Sequence, residues 1–155
     1  MSHPADLPLS LAGPDGLAYA ELSCRSSFSF GTGASMPEEL VARAHALGYA
    51  ALAITDDCSV SGVVRAHLEA KLLGLKLLPG AAFVVPVPQA SGAADSFRLI
   101  ALPHNLQAWG DLCEFITIAR RSAPKGQNQV VWPDASTRSS GRMPVGPNCR
   151  AAKFC

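Results

Sequence analysis

Short, almost wholly apolar runs alternate along the chain with segments in which apolar residues recur every three or four positions. The runs cover residues 17–24, 49–55, 75–87 and 96–103. Runs of this length and apolarity predict strands buried on both faces, as in a parallel sheet covered by helices. The order strand–helix–strand–helix–strand therefore predicts an α/β fold with right-handed crossovers, and the loop before the fourth strand predicts a hairpin-like excursion.

Three segments have the periodicity of amphipathic helices. Ser35 is predicted to cap the first, together with Glu38 three residues later, and Ser59 is predicted to cap the second. The third covers residues 105–121. The stripe predicted to face inward on the second helix consists of Val60, Val63, Val64, Leu68 and Leu72. The inward stripe of the third consists of Trp109, Leu112, Cys113, Ile116 and Ala119.

These patterns divide the chain into three parts. Residues 1–17 are punctuated by proline and glycine and predict a flexible lead-in. Residues 18–132 contain every predicted element. Residues 133–155 are rich in serine, proline, glycine and arginine without a periodic apolar pattern, so we expect a disordered tail.

Polar residues follow the first two predicted strands at their carboxyl ends, where reactive groups lie in folds of this kind. They are Ser23 and Cys24 at the end of the first strand, with Arg25 directly after it, and Asp56, Asp57 and Cys58 after the second. We therefore expect one functional rim at this edge. Because side chains alternate along a strand, Cys24 is expected to face away from Ser23 and Arg25.

Composition adds little to the predicted fold and function. Apolar residues make up 48% of the chain and charged residues 16%, which permits a sizeable core, and the formal net charge is +1. Five cysteines without a close C-x-x-C pair fit a reducing cytoplasm, and we see neither a signal peptide nor a membrane helix. The chain from Arg120 onward contains seven basic residues and one acidic residue. This segment could be a solvated basic tail, or it could attract nucleic acid weakly.

The segment from "AYAELSCRSSFSFGTGAS" through "AITDDCSVSGVVRAH", with the later "LCEFITIARRSAPKGQ", resembles the PHP (polymerase and histidinol phosphatase) domain. More narrowly, it is similar to the amino-terminal PHP domain of bacterial error-prone DNA polymerases, relatives of the DNA polymerase III alpha subunit. The resemblance covers about residues 18–132 and depends on the order and spacing of the motifs. It implies an irregular, TIM-like seven-stranded β/α barrel, of which this chain supplies a part.

The resemblance also implies a set of metal ligands. In active members an H-x-H, a T-D-H and a later glutamate hold divalent metals such as Mg, Zn or Mn for phosphoester hydrolysis. The H-x-H pair falls here on Ser23 and Arg25. The T-D-H falls on Thr55, Asp56 and Asp57, so that Asp57 stands at the position of its histidine, and the glutamate falls on Ala82.

Most of these positions have lost their ligand chemistry. A hydroxyl is a poor ligand for a transition metal, a guanidinium repels a cation, and a methyl group cannot coordinate. Only Asp56 and Asp57 remain as candidate ligands, which is too few for a multinuclear centre. We therefore expect a degenerate rim with no catalytic residue and no cofactor. Arg25 is expected either to bond Asp56 or Asp57 in place of the metal or to point into water.

The expected function follows from the resemblance. Its family consists of DNA-directed DNA polymerases, nucleotidyltransferases that copy damaged DNA during repair and replication, whose catalytic acids lie in a distant palm domain. We expect the chain to be a PHP-domain fragment of such an enzyme, without metal-dependent hydrolysis or polymerase activity of its own. DNA would be met through the parent polymerase, together with repair-polymerase accessory proteins, in the cytoplasm.

Two alternatives remain, and one genetic expectation accompanies them. The chain could be a stand-alone metal-dependent phosphoesterase, against which the missing ligands argue, or a remnant that does not fold. Family-like sequence ends near residue 133, which predicts that a frameshift or premature stop interrupted a longer gene.

Overall fold

The computed structural model describes residues 18–87, 95–130 and 149–154. The elements are β1 (Ala20–Cys24), α1 (Pro37–Ala46), β2 (Ala51–Asp57), α2 (Val63–Leu73), β3 (Lys76–Val87), β4 (Asp95–Pro103), α3 (Leu106–Arg121) and β5 (Cys149–Phe154). The strands form one curled sheet in the order β1-β2-β3-β4-β5. The predicted α/β class is therefore confirmed.

Strand direction changes within the sheet. β1, β2 and β3 run parallel, whereas β4 is antiparallel to β3 and β5 is antiparallel to β4. The parallel arrangement expected from the apolar runs thus holds for the first three strands, which are joined by helices. The connection between β3 and β4 contains no described helix, so these strands pair as a hairpin, as the sequence predicted.

Helices cover one face of the sheet and form two hydrophobic clusters with it. Under α1 and α2 lie Val41, Ala44, Leu52, Ile54, Ala66, Ala70 and Leu75. Under α3 lie Ala81, Phe83, Val85, Leu99, Ala101, Leu112, Phe115, Ile116 and Ala119, with the rings of Phe83 and Phe115 edge to face at 4.8 Å. Because side chains alternate along a strand, the intervening residues line the opposite, concave face.

The beginnings of two helices differ from their predictions. α1 is capped at Met36, whose N–H donates to the Glu39 carboxylate at 2.9 Å, so the predicted box at Ser35 and Glu38 lies one residue early. α2 begins after Gly62 without a side-chain cap. The Ser59 hydroxyl instead accepts a hydrogen bond from the N–H of Ser61, and it stabilises a turn rather than the helix.

The predicted inward stripe of α2 is wrong at three of its five residues, whereas Val60 packs against the cluster under α3. Val64, Leu68 and Leu72 are 68%, 61% and 80% exposed, whereas Ala66 and Ala70 are buried. Small alanines allow α2 to pack closely, and periodicity alone does not distinguish an apolar stripe from an alanine stripe. The prediction for α3 is better, since Leu112, Ile116 and Ala119 are buried and Phe115 joins them, while Trp109 and Cys113 are half-buried.

The ends of the chain are described only in part. Residues 1–17 and 131–148 lie outside the described residues, and so does most of the predicted tail at 133–155. Within that tail, Cys149–Phe154 form β5 along the edge of β4, in contrast to the expected disorder. The backbone groups of an unpaired strand edge can pair with another segment of almost any sequence. The apolar pattern of the sequence therefore did not indicate this strand. No helix among the described residues has the length and apolarity to cross a bilayer.

Candidate functional site

The carboxyl ends of β1 and β2 meet below the loop of residues 25–36, and Asp56 and Asp57 lie at this edge. Parallel pairing places Asp56 beside Ala81 and Asp57 beside Ala82 of β3. Ala81 belongs to the helix-covered face, and alternation therefore directs Asp57 to the concave face. The two adjacent carboxylates consequently have separate surroundings.

Asp56 is completely buried and is held by two serines. Its Oδ1 accepts the N–H of Ser26 at 2.8 Å and the hydroxyl of Ser29 at 2.8 Å, and its Oδ2 accepts the hydroxyl of Ser26 at 2.8 Å. These donors replace the hydration that burial removes. Asp56 is therefore bound into the structure and is not presented to a ligand.

Gly62 closes this buried site from the side of α2. A Cβ atom at residue 62 would lie 2.8 Å from both Asp56 Oδ2 and Ser26 Oγ, and 3.1 Å from Pro37 Cγ. Such distances are shorter than van der Waals contact, so a side chain at this position would displace the serine–carboxylate group. The Asp56 carboxylate is thus packed between Ser26, Ser29 and Gly62, without room for a further side chain at residue 62.

Asp57 is partly exposed and lies between two arginines. Arg98 Nη2 donates to Oδ1 at 3.3 Å, and Arg25 Nη1 lies 3.5 Å from Oδ2. The hydroxyl of Thr32 also donates to Oδ2, at 3.1 Å, and the backbone N–H of Asp57 donates to Ser29 Oγ at 2.9 Å. Of the two interpretations of Arg25, the structure thus shows the pair with Asp57.

Arg98 is a member of this cluster that sequence reasoning missed. Burial lowers the pKa of its guanidinium, and the positive charge of Arg25 lowers it further, while Asp57 opposes both effects. Its Nε is buried without a hydrogen-bond partner among the described residues. An arginine inside the apolar run "SFRLIALP" was the available signal, because a charge in a buried strand calls for a partner.

The remaining rim residues contribute no ligand. Ser23 is exposed, and its backbone N–H donates to Glu21 Oε1 at 2.8 Å. Ala82 is buried beside Asp57. Cys24 packs against the cluster under α1 and α2, hence on the face away from Arg25, as alternation predicted. Burial raises the pKa of the Cys24 thiol.

Cys58 follows Asp57 and is anchored through its backbone. Its N–H donates to the carbonyl of Ala82 at 2.7 Å, and its own carbonyl accepts Nε of Arg120 at 2.8 Å. Its φ of 47° is left-handed, which turns the chain from β2 toward α2. The thiol is buried, and burial raises its pKa despite the nearby Arg120.

This donor set does not fit a divalent metal centre. Two guanidinium groups flank the exposed carboxylate of Asp57, and a cation placed there would be repelled by both. Across the described ranges no group of three or more histidine, cysteine, aspartate or glutamate residues is arranged to hold a metal ion. No chemical step can therefore be derived through a bound metal here.

The family model of the PHP domain matches residues 21–139. The chain belongs to the PHP domain family. The matched range contains the whole rim, from Ser23 to Arg98, and it extends slightly beyond the residue 132 expected from the motifs. The resemblance read from the sequence is thereby confirmed.

Relatives of this PHP domain are named as polymerases. The chain is 51% identical over 134 residues to the error-prone DNA polymerase of Ralstonia nicotianae and 53% identical over 135 residues to that of Bordetella parapertussis. Each match covers 86% of this chain and 12% of the relative, and the chain is homologous to the amino-terminal region of these proteins.

Solved structures show the same PHP fold. A phosphoesterase from Bifidobacterium adolescentis, described as putative and metal-dependent, superposes with a TM-score of 0.53 at 24% identity, covering 67% of this chain and 34% of that one. An amidohydrolase from Chromobacterium violaceum, with bound sulfate and no metal, gives 0.54 at 25% identity, covering 68% and 34%. The partial barrel expected from the sequence agrees with these neighbours.

Proposed function

We propose that this chain is a non-hydrolytic PHP module of an error-prone DNA polymerase, in which an ionic cluster stands where active members hold metal. The module would act mechanically, as a folded support within a DNA-copying enzyme of the bacterial cytoplasm. DNA and repair-polymerase accessory proteins would be met through that enzyme. The whole relatives are much longer than the matched region, so polymerisation belongs to parts that this module does not supply.

One observation carries the proposal. The carboxylate of Asp57 is shared between Arg98 and Arg25 at 3.3 Å and 3.5 Å, which joins β2, β4 and the loop that follows β1 through side chains. By the family mapping a metal centre would join the ends of β1 and β2 to β3, through the position of Ala82, where the ionic cluster instead reaches β4. A cluster of two cations and one anion supplies a comparable cross-link and excludes the metal that hydrolysis requires.

The alternative is a stand-alone phosphoesterase of the kind named among the structural neighbours. It requires activation of water by a metal ion or by a general base near the bound ester. Asp56 is sequestered by Ser26 and Ser29, and Asp57 is ion-paired, so neither carboxylate is free to serve as that base. The geometry therefore favours the mechanical role.

Metal analysis and a hydrolysis assay on the same preparation test the proposal. The purified full chain is equilibrated with Mg²⁺, Mn²⁺ or Zn²⁺, dialysed, and analysed for bound metal, and it is assayed with p-nitrophenyl phosphate and bis(p-nitrophenyl) phosphate. We expect no stoichiometric metal and no turnover above the buffer rate. Stoichiometric metal with turnover that Asp57→Asn abolishes would overturn the proposal in favour of the phosphoesterase.

A further inference from the structure

An exposed aromatic residue lies on the loop that joins β1 to α1. Phe30 is 89% exposed, although a phenylalanine gains nothing from contact with water. A single exposed apolar residue is ordinary by itself. Its position is what matters here, since it lies on the loop that joins β1 to α1 across the rim.

The loop that carries Phe30 is held in one conformation. The N–H groups of Ser29 and Gly33 donate to the carbonyls of Ser26 and Ser29, each at 2.9 Å, and both serines bind the buried Asp56. A Cβ at residue 33 would lie 1.9 Å from the carbonyl oxygen of Ser26, so the close approach requires glycine. The exposed ring is thus presented from a fixed backbone, which lowers the entropic cost of binding.

Phe30 is near the arginines because of Thr32. The Thr32 hydroxyl donates to Asp57 Oδ2, the same oxygen that faces Arg25. Two residues span at most about 7 Å of chain, so the Cα of Phe30 lies within that distance of the Cα of Thr32. Phe30 and the two arginines therefore belong to the same edge of the domain.

The arginines of this edge retain most of their hydrogen-bonding capacity. A guanidinium group has five N–H donors. Among the described residues the side chain of Arg98 makes one hydrogen bond, to Asp57, and the side chain of Arg25 makes an ion pair at 3.5 Å with the same carboxylate. Both side chains remain partly exposed, and among the described residues Asp57 is the one carboxylate within 4 Å of either guanidinium group.

We propose that this edge binds one nucleotide unit of single-stranded DNA, with the base stacked on Phe30 and its phosphate bound by Arg25 and Arg98. Every base has a π-face that stacks on an aromatic ring, and a guanidinium group binds phosphate oxygens through paired N–H donors. A duplex keeps its bases stacked and offers no face to Phe30. The inference goes beyond the proposed function and does not depend on it.

Fluorescence anisotropy of the full chain with labelled dT12 at low salt tests the stacking. We expect the wild type to bind and Phe30→Ala to weaken binding at least about fivefold, the lower end for loss of one stacked base, while Phe30→Trp retains it. Leu72→Ala is the matched control, because Leu72 is similarly exposed but lies on α2. No binding by the wild type, or equal binding by Phe30→Ala, overturns the proposal.

The salt dependence of binding tests the phosphate contact. Each phosphate contact on a single strand contributes about 0.7 to the slope of log K against log salt. Arg25→Gln should make the negative slope shallower by about 0.7, whereas Arg65→Gln, on α2, should leave the slope unchanged. An unaltered slope in Arg25→Gln, or duplex DNA bound as tightly as dT12, overturns the assignment.

Competition with dTMP distinguishes the source of the nucleotide. If dTMP displaces labelled dT12 at equal nucleotide concentration, the edge is a site for free nucleotides, and if only dT12 does so it is a strand contact. Both results support the ligand chemistry. Metal-dependent turnover in the phosphatase assay would contradict the proposed function but not this DNA contact. Failure of the wild type to bind dT12 would contradict the DNA contact but not the proposed function.

Discussion

Ser26 donates both its backbone N–H and its hydroxyl group to the carboxylate of Asp56, each at 2.8 Å, across thirty residues of chain. Asp56 has no accessible surface, so its charge is balanced by neutral donors and not by a cation. The interaction fixes the loop after β1 to the end of β2. At the edge where the resemblance implies metal ligands, the carboxylate of Asp56 therefore serves as a structural anchor.

Ser26→Ala should therefore destabilise the domain. Loss of a hydrogen bond to a buried charged group costs about 1.5–3 kcal/mol. Urea unfolding followed by circular dichroism measures the change. Ser122→Ala is the control, because the Ser122 hydroxyl donates at 2.8 Å to the carbonyl of Ile118 in an exposed position and its loss should cost less than about 0.5 kcal/mol. Equal unfolding free energies for the two variants would contradict the anchoring role of Ser26.

Two glycine substitutions should have opposite effects. In Gly62→Ala the new methyl group meets Asp56 and Ser26 at 2.8 Å, so we expect destabilisation of about 1–3 kcal/mol from overpacking. In Gly110→Ala the methyl group meets nothing within 4 Å inside α3, so we expect stabilisation of about 0.5–1 kcal/mol. Thermal unfolding of both variants shows whether each substitution raises or lowers the midpoint temperature. A stable Gly62→Ala protein would show that the space around Asp56 can expand.

The sequence was sufficient where a single physical signal dominated. Continuous apolar runs located the first four strands, and alternation correctly separated Cys24 from Arg25. The carboxyl-end rule brought Arg25 and Asp57 to one edge, where the structure shows them paired. These features depend on local chain geometry, which the sequence states directly.

Other features depend on partners that are distant in sequence. Arg98 reaches Asp57 across forty-one residues and an antiparallel pairing that the parallel pattern did not indicate. Ser26 and Ser29 appeared to be ordinary loop residues because their acceptor lies on another strand. The exposed face of α2 was predicted to be its buried face, because the larger apolar residues lie there. The structure instead buries the small residues Ala66 and Ala70 against α1 and the sheet.

Asp57 and Arg98 should show a modest coupling energy. Their contact is partly solvated, and ion pairs of this kind are worth roughly 0.2–1 kcal/mol. A double-mutant cycle with Asp57→Asn and Arg98→Gln measures it by urea unfolding, and the coupling should decrease in high salt. The pair of Arg65 with Glu38, at 2.8 Å between α1 and α2, serves as a comparison. Zero coupling at low salt would mean that the cluster does not cross-link the strands.

The buried thiols predict a loss of stability at high pH. Burial raises the pKa of Cys58 above its ordinary value of 9.0, so the folded state holds its proton more tightly than the unfolded state. This contribution is fully present below pH 9 and decreases as pH rises through 9 toward the folded pKa. In Cys58→Ala the unfolding free energy should fall less between pH 8 and 10 than in the wild type. Parallel pH profiles for the two proteins would contradict the assignment.

Rebuilding the metal centre tests which residues exclude metal. Ser23→His, Arg25→His and Ala82→Glu restore the H-x-H pair and the glutamate that the resemblance implies, yet Arg98 still lies 3.3 Å from Asp57 and would repel a cation. We expect the triple variant to bind Mn²⁺ weakly, and addition of Arg98→Gln to tighten binding by about tenfold or more, which corresponds to about 1.4 kcal/mol. Isothermal titration calorimetry measures both, with Arg65→Gln in the same background as the control. If neither rebuilt protein takes up Mn²⁺ or Zn²⁺ while circular dichroism shows both folded, the mapping of the rim onto the family's ligands is wrong.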